Sequence, residues 1–215
     1  MLHTTTTDDR SVSDLLFQFE QMPINFELVD NSIAHLKSRM DARISTNCPD
    51  LWFLEDFLYT PLKDKLWEFI SGIDKQDWAI MPEQSALSRR YINWQPDTVI
   101  EETHMVLESA TTYLESLLGQ TLKFHGISIW RDEFPYCIGR HSDQPGIACA
   151  LQIYINSMDA NLATHFEYNL EILAPEYKTN SGYLMDNKSK IIHWVPERVP
   201  KAYTRYSLYA TWGEQ

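Results

Sequence analysis

After Gly119 the chain falls into short runs rich in β-branched and aromatic residues, LKFHGISIW, CALQIYIN, HFEYNLEIL, SGYLMD, KIIHWV and RYSLYATW, each set off by turn residues. Runs this short and this spaced read as strands rather than helices. So many strands make the second half of the chain all-β, best built as a sandwich or jelly roll with helices on its outside. The first half carries helical periodicity instead. The expected fold class is therefore α+β, a jelly-roll core with supporting helices packed on one sheet.

In that first half, Val12 to Phe19 and Asn31 to Met40 show short helical patterns, and MPINFELVD between them reads as extended chain around its proline. Thr60-Pro61 predicts an N-cap followed by proline at the first helical position, opening a helix with Leu62, Leu66, Phe69 and Ile70 on one stripe and Gly72 as its C-cap. Trp78 to Pro82 and Ser88 to Trp94 read as strands. Asp97 or Thr98 opens a further helix running to Leu118 and closed by Gly119. The 215 residues suit one sizeable domain. We expect it over residues 47–215, preceded by a partly helical extension over 1–46.

Net charge narrows the partners. At −12 the surface repels phosphate backbones, so no nucleic-acid partner is expected. No window approaches the roughly 18 uninterrupted apolar residues of a membrane span, and MLHTTTTDDRSVSD lacks the basic and apolar regions of a secretory signal. A soluble, cytoplasmic protein is expected. Cys48, Cys137 and Cys149 show no CxxC spacing and suit a reducing compartment.

The residues that carry chemistry sit at the mouth of one strand. In GRHSDQPGIACALQIYIN, His141 and Asp143 lie two positions apart, so extended backbone sends both side chains to the same side, about 6 to 7 Å apart. One cation fits between them. The best third ligand is His193 in KSKIIHWVPERVP, near the end of a later strand. Two imidazoles and one carboxylate on one face of a metal leave positions open and suit non-haem Fe(II), whereas a structural zinc site closes with a fourth ligand. His165 is a rival ligand. Cys149 alternates in phase with Leu151, Ile153 and Ile155 and reads as a small buried hydrophobe. His104 and His125 read as structural, Trp130 as a core residue that could line a pocket, and Tyr136, Asn180 and Trp194 as residues of either kind.

From Ile127 to Trp212 the sequence resembles the Fe(II)- and 2-oxoglutarate-dependent oxygenases, in their prolyl 4-hydroxylase-like branch. HSD at 141–143, YIN at 154–156, His193 and RYSLYATW at 205–212 follow the order of that branch. The resemblance implies a double-stranded β-helix, with the metal-site half spanning about 121–213. It implies His141, Asp143 and His193 as iron ligands and Arg205 as partner of the cosubstrate's distal carboxylate. A guanidinium suits that task because it is always charged and forks onto carboxylates. Tyr154 matches a strand tyrosine that adds a hydrogen bond to the same carboxylate, and Ser207 a serine used in an Arg-x-Ser pair. One segment departs from the pattern: NLATHF at 161–166 keeps Thr164 and Phe166 but has Asn161 and Leu162 where the family often has glycines.

What the resemblance implies about activity is hydroxylation of an unactivated C–H, with 2-oxoglutarate going to succinate and carbon dioxide, dioxygen as co-reactant, and room for ascorbate as a further cofactor. An intact Asp143 favours hydroxylation over halogenation, since halogenating relatives replace that carboxylate. Thr211 stands where nucleobase-demethylating relatives carry a second arginine. A peptidyl proline or another amino-acid-like small molecule is the substrate expected by analogy, with residues 1–50 and 83–98 as lid candidates. Two alternatives stay open: a non-catalytic jelly-roll binding module, and a metalloenzyme with the same triad that does not use 2-oxoglutarate.

Overall fold

A computed structural model of the chain describes residues 23–80, 89–92, 97–158 and 161–215. The helix expected over 12–19 and most of the 83–98 segment lie outside these residues. Helix α1 (Phe26–Asp41) starts earlier than its periodicity suggests, because the Asn25 side chain accepts from the Leu28 amide and caps it. Residues 26–30 of the stretch read as extended are thus its opening turn. Helix α2 (Thr60–Gly72) has Pro61 in its first turn, but its cap is Tyr59, one residue before the expected threonine. Gly72 is its last helical residue rather than its cap.

The long helix expected from Asp97 to Leu118 is two helices, α3 (Thr98–Glu108) and α4 (Thr111–Leu118). At the break, Ser109 Oγ donates to the Val106 carbonyl and Thr111 Oγ1 to the Glu108 carbonyl. These side-chain bonds offer the backbone an alternative to continuing the helix. Gly119 closes α4 at φ +66°, a conformation a side chain disfavours. Glu102 ties three of the helices: fully buried on α3, it accepts from the Asn25 amide at 2.9 Å before α1 and from Lys65 of α2 at 2.6 Å.

The described residues hold twelve strands in this order: β1 (Ile44–Ser45), β2 (Leu51–Leu54), β3 (Ala79–Ile80), β4 (Arg89–Ile92), β5 (Leu122–Asp132), β6 (Ile138–His141), β7 (Cys149–Tyr154), β8 (His165–Tyr168), β9 (Glu171–Leu173), β10 (Gly182–Asp186), β11 (Ile192–Val195) and β12 (Arg205–Glu214). Among the described residues they form two antiparallel sheets, an eight-stranded one ordered β1-β2-β10-β7-β12-β5-β4-β3 and a four-stranded one ordered β6-β11-β8-β9. The run HFEYNLEIL is a hairpin rather than one strand, turning at Asn169 and Leu170, both at positive φ. Gly182 is required where β10 meets β7, because a Cβ there would collide with the Gln152 carbonyl.

Strand alternation gives the large sheet two unlike faces. Ile129, Leu151, Ile153, Leu184, Leu208, Ala210 and Trp212 join Leu62, Leu66, Ile70, Ile100, Leu107 and Leu114 of the helices in one apolar cluster. The opposite face, with Gln152, Tyr183, Arg205 and Tyr209, looks across a cavity to His193 and Val195 of the small sheet. No helix of the described residues is long and apolar enough to cross a membrane.

Candidate metal centre and its cavity

His141 ends β6, and His193 stands directly opposite it on β11, so the ladder between two short strands brings the imidazoles together with ring centroids 4.3 Å apart. Asp143 follows two residues beyond β6. One ligand atom from each of the three lies within 4.8 Å of the others, and His193 Nε2 is 3.5 Å from an Asp143 oxygen.

Both rings are set in the tautomer a metal needs. His141 Nδ1 lies 2.8 Å from the Gly139 carbonyl and His193 Nδ1 3.1 Å from that of Ile191. A carbonyl only accepts, so each Nδ1 carries a proton, and in the neutral form of either ring it is Nε2 that keeps the lone pair. Burial, more than any neighbouring charge, pushes the His141 pKa down and favours the neutral ring. The Tyr209 hydroxyl donates to Asp143 at 3.4 Å, and burial foremost, with the nearby Asp143 charge second, holds its own pKa well up. These outer contacts are of the kind that orient metal ligands.

The triad opens onto a cavity of about 450 Å³ whose wall includes Arg89, Trp130, Tyr136, Gln152, Thr164 and Arg205. Arg205 lies four residues along β12 from Tyr209, about 13 Å at the backbone. It is fully buried, donating through Nη1 to Asp132 at 2.6 Å and through Nε to the Leu162 carbonyl at 3.1 Å. The glycine-free turn at NLATHF thus contributes a carbonyl to the arginine. Arg89 of β4 grips the same Asp132 with two prongs, at 2.6 and 2.9 Å. Its guanidinium lies over the rings of Trp130 and Tyr136, at 4.0 and 4.4 Å from their centroids.

The sequence-derived site residues therefore divide. His141, Asp143, His193 and Arg205 all line the cavity. Tyr154 and Ser207 do not: the Tyr154 hydroxyl accepts from the Thr164 amide at 2.8 Å, and the Ser207 hydroxyl accepts from Gln152 Nε2 at 2.9 Å. The wall also holds Thr164, kept in NLATHF, and residues the sequence did not single out, namely Arg89, Gln152 and Tyr183, with Asp132 behind Arg89 and Arg205. Tyr209 had a signal, since it shares a strand face with Arg205. Trp130 is on the cavity wall rather than in the apolar core. His165 pairs with Trp194 and so sits one residue out of phase with His193, on the other face of β11 and β8. Asn180 is structural, exchanging hydrogen bonds with the backbone of Leu58. Cys48, Cys137 and Cys149 are free thiols.

No family model and no curated protein sequence matches the chain. Solved structures do. A Pseudomonas putida prolyl-4-hydroxylase aligns with TM-score 0.62 at 12% identity, over 87% of this chain and 99% of that one. A Trichoplax adhaerens prolyl hydroxylase, in complex with an oxygen-degradation-domain peptide of hypoxia-inducible factor, aligns with TM-score 0.58 at 10% identity, over 90% and 94%. HygX of Streptomyces hygroscopicus, bound to nickel, 2-oxoglutarate and hygromycin B, aligns with TM-score 0.54 at 7% identity, over 77% and 83%. The chain thus shares the fold of these prolyl hydroxylases and of HygX.

Proposed function

We propose that this protein is an Fe(II)- and 2-oxoglutarate-dependent dioxygenase that hydroxylates an unactivated C–H of a peptide or small-molecule substrate, and that its two sheets form a double-stranded β-helix. One observation carries the reading. Two imidazole nitrogens and a carboxylate oxygen converge at a cavity whose wall also holds a fully buried guanidinium, Arg205, with Nη2 unpartnered. The donor set fits a divalent cation that must keep positions open. The unpartnered guanidinium N–H fits one carboxylate oxygen.

In this reading His141, Asp143 and His193 hold the iron, and Arg205 holds the far carboxylate of 2-oxoglutarate. Bound there, iron supplies the oxidising chemistry that couples decarboxylation of the 2-oxo acid to oxygen insertion into a C–H bond. The protein's part is positional. The Gly139 and Ile191 carbonyls fix the two rings, Tyr209 steadies Asp143, and the Trp130 and Tyr136 rings give the cavity an aromatic wall. Dioxygen is the remaining co-reactant, and ascorbate enters as a reductant by family analogy alone. The substrate class, an amino-acid-like compound or a prolyl peptide, is likewise analogy, as is a cytoplasmic location. The net charge of −12 and Thr211 in the cavity wall favour a substrate other than nucleic acid.

A second reading, a metalloenzyme that does not use 2-oxoglutarate, is favoured by one observation: Arg205 already has an anion, Asp132. Asp132 is shared with Arg89, however, and cannot neutralise both. Anaerobic titration with Fe(II) and 2-oxoglutarate separates the readings. The dioxygenase reading expects iron binding, a weak visible charge-transfer band on adding the 2-oxo acid, and succinate formation in air, all lost in His193→Ala. Iron binding without the band supports the second reading, and equal iron binding by wild type and His193→Ala overturns the triad.

A further inference from the structure

The guanidiniums of the cavity wall lie at one end of it. Arg205, Asp132 and Arg89 are direct neighbours on one rung across β12, β5 and β4, and all three are buried. The next rung on that face pairs Trp130 with Tyr91, the one after it Ser128 with Tyr209, and the last Gly126 with Thr211, with about 7 Å from rung to rung. Tyr209 reaches Asp143, so the metal triad stands two rungs from the guanidiniums. Toward solvent the wall consists of Tyr91, Ser128, Trp130, Ser142, Gln144 and Thr211, each at least partly exposed and all uncharged. Asp143 is the only carboxylate lining the cavity among the described residues, and it belongs to the triad.

We infer that the cavity takes an uncharged substrate, which lays a ring or apolar face on Tyr91 and Trp130, and that it rejects compounds with an ammonium or anionic group beside the reacting carbon. The inference rests on the dioxygenase reading and narrows the substrate that reading left to analogy. Loaded as that reading requires, the charges close at both ends: Asp143 and the 2-oxo-acid end of the cosubstrate match a divalent ion, and Asp132 and the distal carboxylate match Arg89 and Arg205. A further charge between those ends meets no counter-charge, and burying it unpaired is costly. Tyr91 and Trp130 are cross-strand partners, so their side chains stand side by side. The Trp130 ring meets the Tyr209 ring edge to face, with centroids 5.9 Å apart, so an aromatic strip runs from the solvent side to the triad. Aromatic faces also attract cations, but the Arg89 guanidinium already lies 4.0 Å from the Trp130 centroid and repels a second one. Around the strip, Ser142, Gln144 and Thr211 offer neutral hydrogen-bonding groups. Amides, lactams and esters suit such a wall; free amino acids, amines and phosphorylated compounds do not.

The test uses three probes that share one ring and differ in charge: cyclopentanecarboxamide, cyclopentylamine and cyclopentanecarboxylate. Each is titrated calorimetrically into anaerobic protein loaded with Fe(II) and 2-oxoglutarate, whose charge-transfer band reports throughout that the cosubstrate stays bound. The carboxamide is expected to bind at least about tenfold more tightly than either ion, the scale of one uncompensated charge. Tyr91→Ala is expected to weaken the carboxamide several-fold. Tyr91→Glu puts an acid on the strip and should bring the amine ahead of the carboxamide, whereas a purely structural role for Tyr91 would weaken all three probes alike and overturn its place in the site. The wild-type ratio decides the matter if neither variant folds. Equal affinities for the three probes, tighter binding of either ion, or no binding of the carboxamide while the band is present overturns the inference and leaves the dioxygenase reading intact. Failure of the band to form before any probe is added removes the dioxygenase reading, and the inference with it.

Discussion

On β12, Leu208, Ala210 and Trp212 enter the apolar cluster shared with the helices, whereas Arg205, Tyr209 and Thr211, between and beside them, line the cavity on the opposite side. The same alternation separates Leu151 from Gln152 on β7 and Ile129 from Trp130 on β5. One backbone thus serves two tasks that place opposite demands on side chains. The helix-facing side gains from removing apolar surface from water. The cavity-facing side instead buries charged and hydroxyl groups, which are costly wherever a polar atom lacks a partner. Stability and function should therefore separate by strand parity.

The largest effect is expected where that separation breaks. Asp132→Asn changes a cavity-face residue, yet it strands two buried guanidiniums, and breaking a buried pair costs about 3–5 kcal/mol; urea denaturation measures it, and a loss under 1 kcal/mol would show that water reaches the cluster. Next comes Leu208→Ala on the helix side, fully buried, with an expected loss of about 2–5 kcal/mol. Its Fe(II) and 2-oxoglutarate affinities should stay at wild-type values in a titration, and a change in either would mean the two faces are coupled. The smallest effect sharpens the contrast from the other side. Tyr209→Phe removes the hydroxyl that steadies Asp143, so Fe(II) affinity should fall about tenfold while stability shifts by less than about 1 kcal/mol.

What could be read in the sequence follows from range. The period-two alternation of CALQIYIN and RYSLYATW is local, and it places Cys149, Leu151 and Ile153 on one face and Arg205 with Tyr209 on the other. The His141–Asp143 pair is local too, and His193 was reachable through the order of motifs. The Arg89–Asp132 and Arg205–Asp132 pairs bridge 43 and 73 residues, and nothing within SRRYIN or RDEF signals that one carboxylate will serve two arginines. The missed start of α1 has a smaller cause: Asn25 is a good cap, but it sits two residues after Pro23, which argued for extended chain. The break at Ser109 was hidden because an apolar stripe continues through both helices.

The placement of the two ring nitrogens on facing rungs of β6 and β11 makes the small sheet a clamp as well as a wall. Their pairing involves few residues and changes register between His193 and Val195. Sliding one strand past the other by a single position would turn an imidazole to the far side and erase the centre. A cation held by both rings would resist that slide. Metal loading should then tighten amide-hydrogen protection across β6 and β11 ahead of the rest of the sandwich, making the ion a fastener of the wall that holds it.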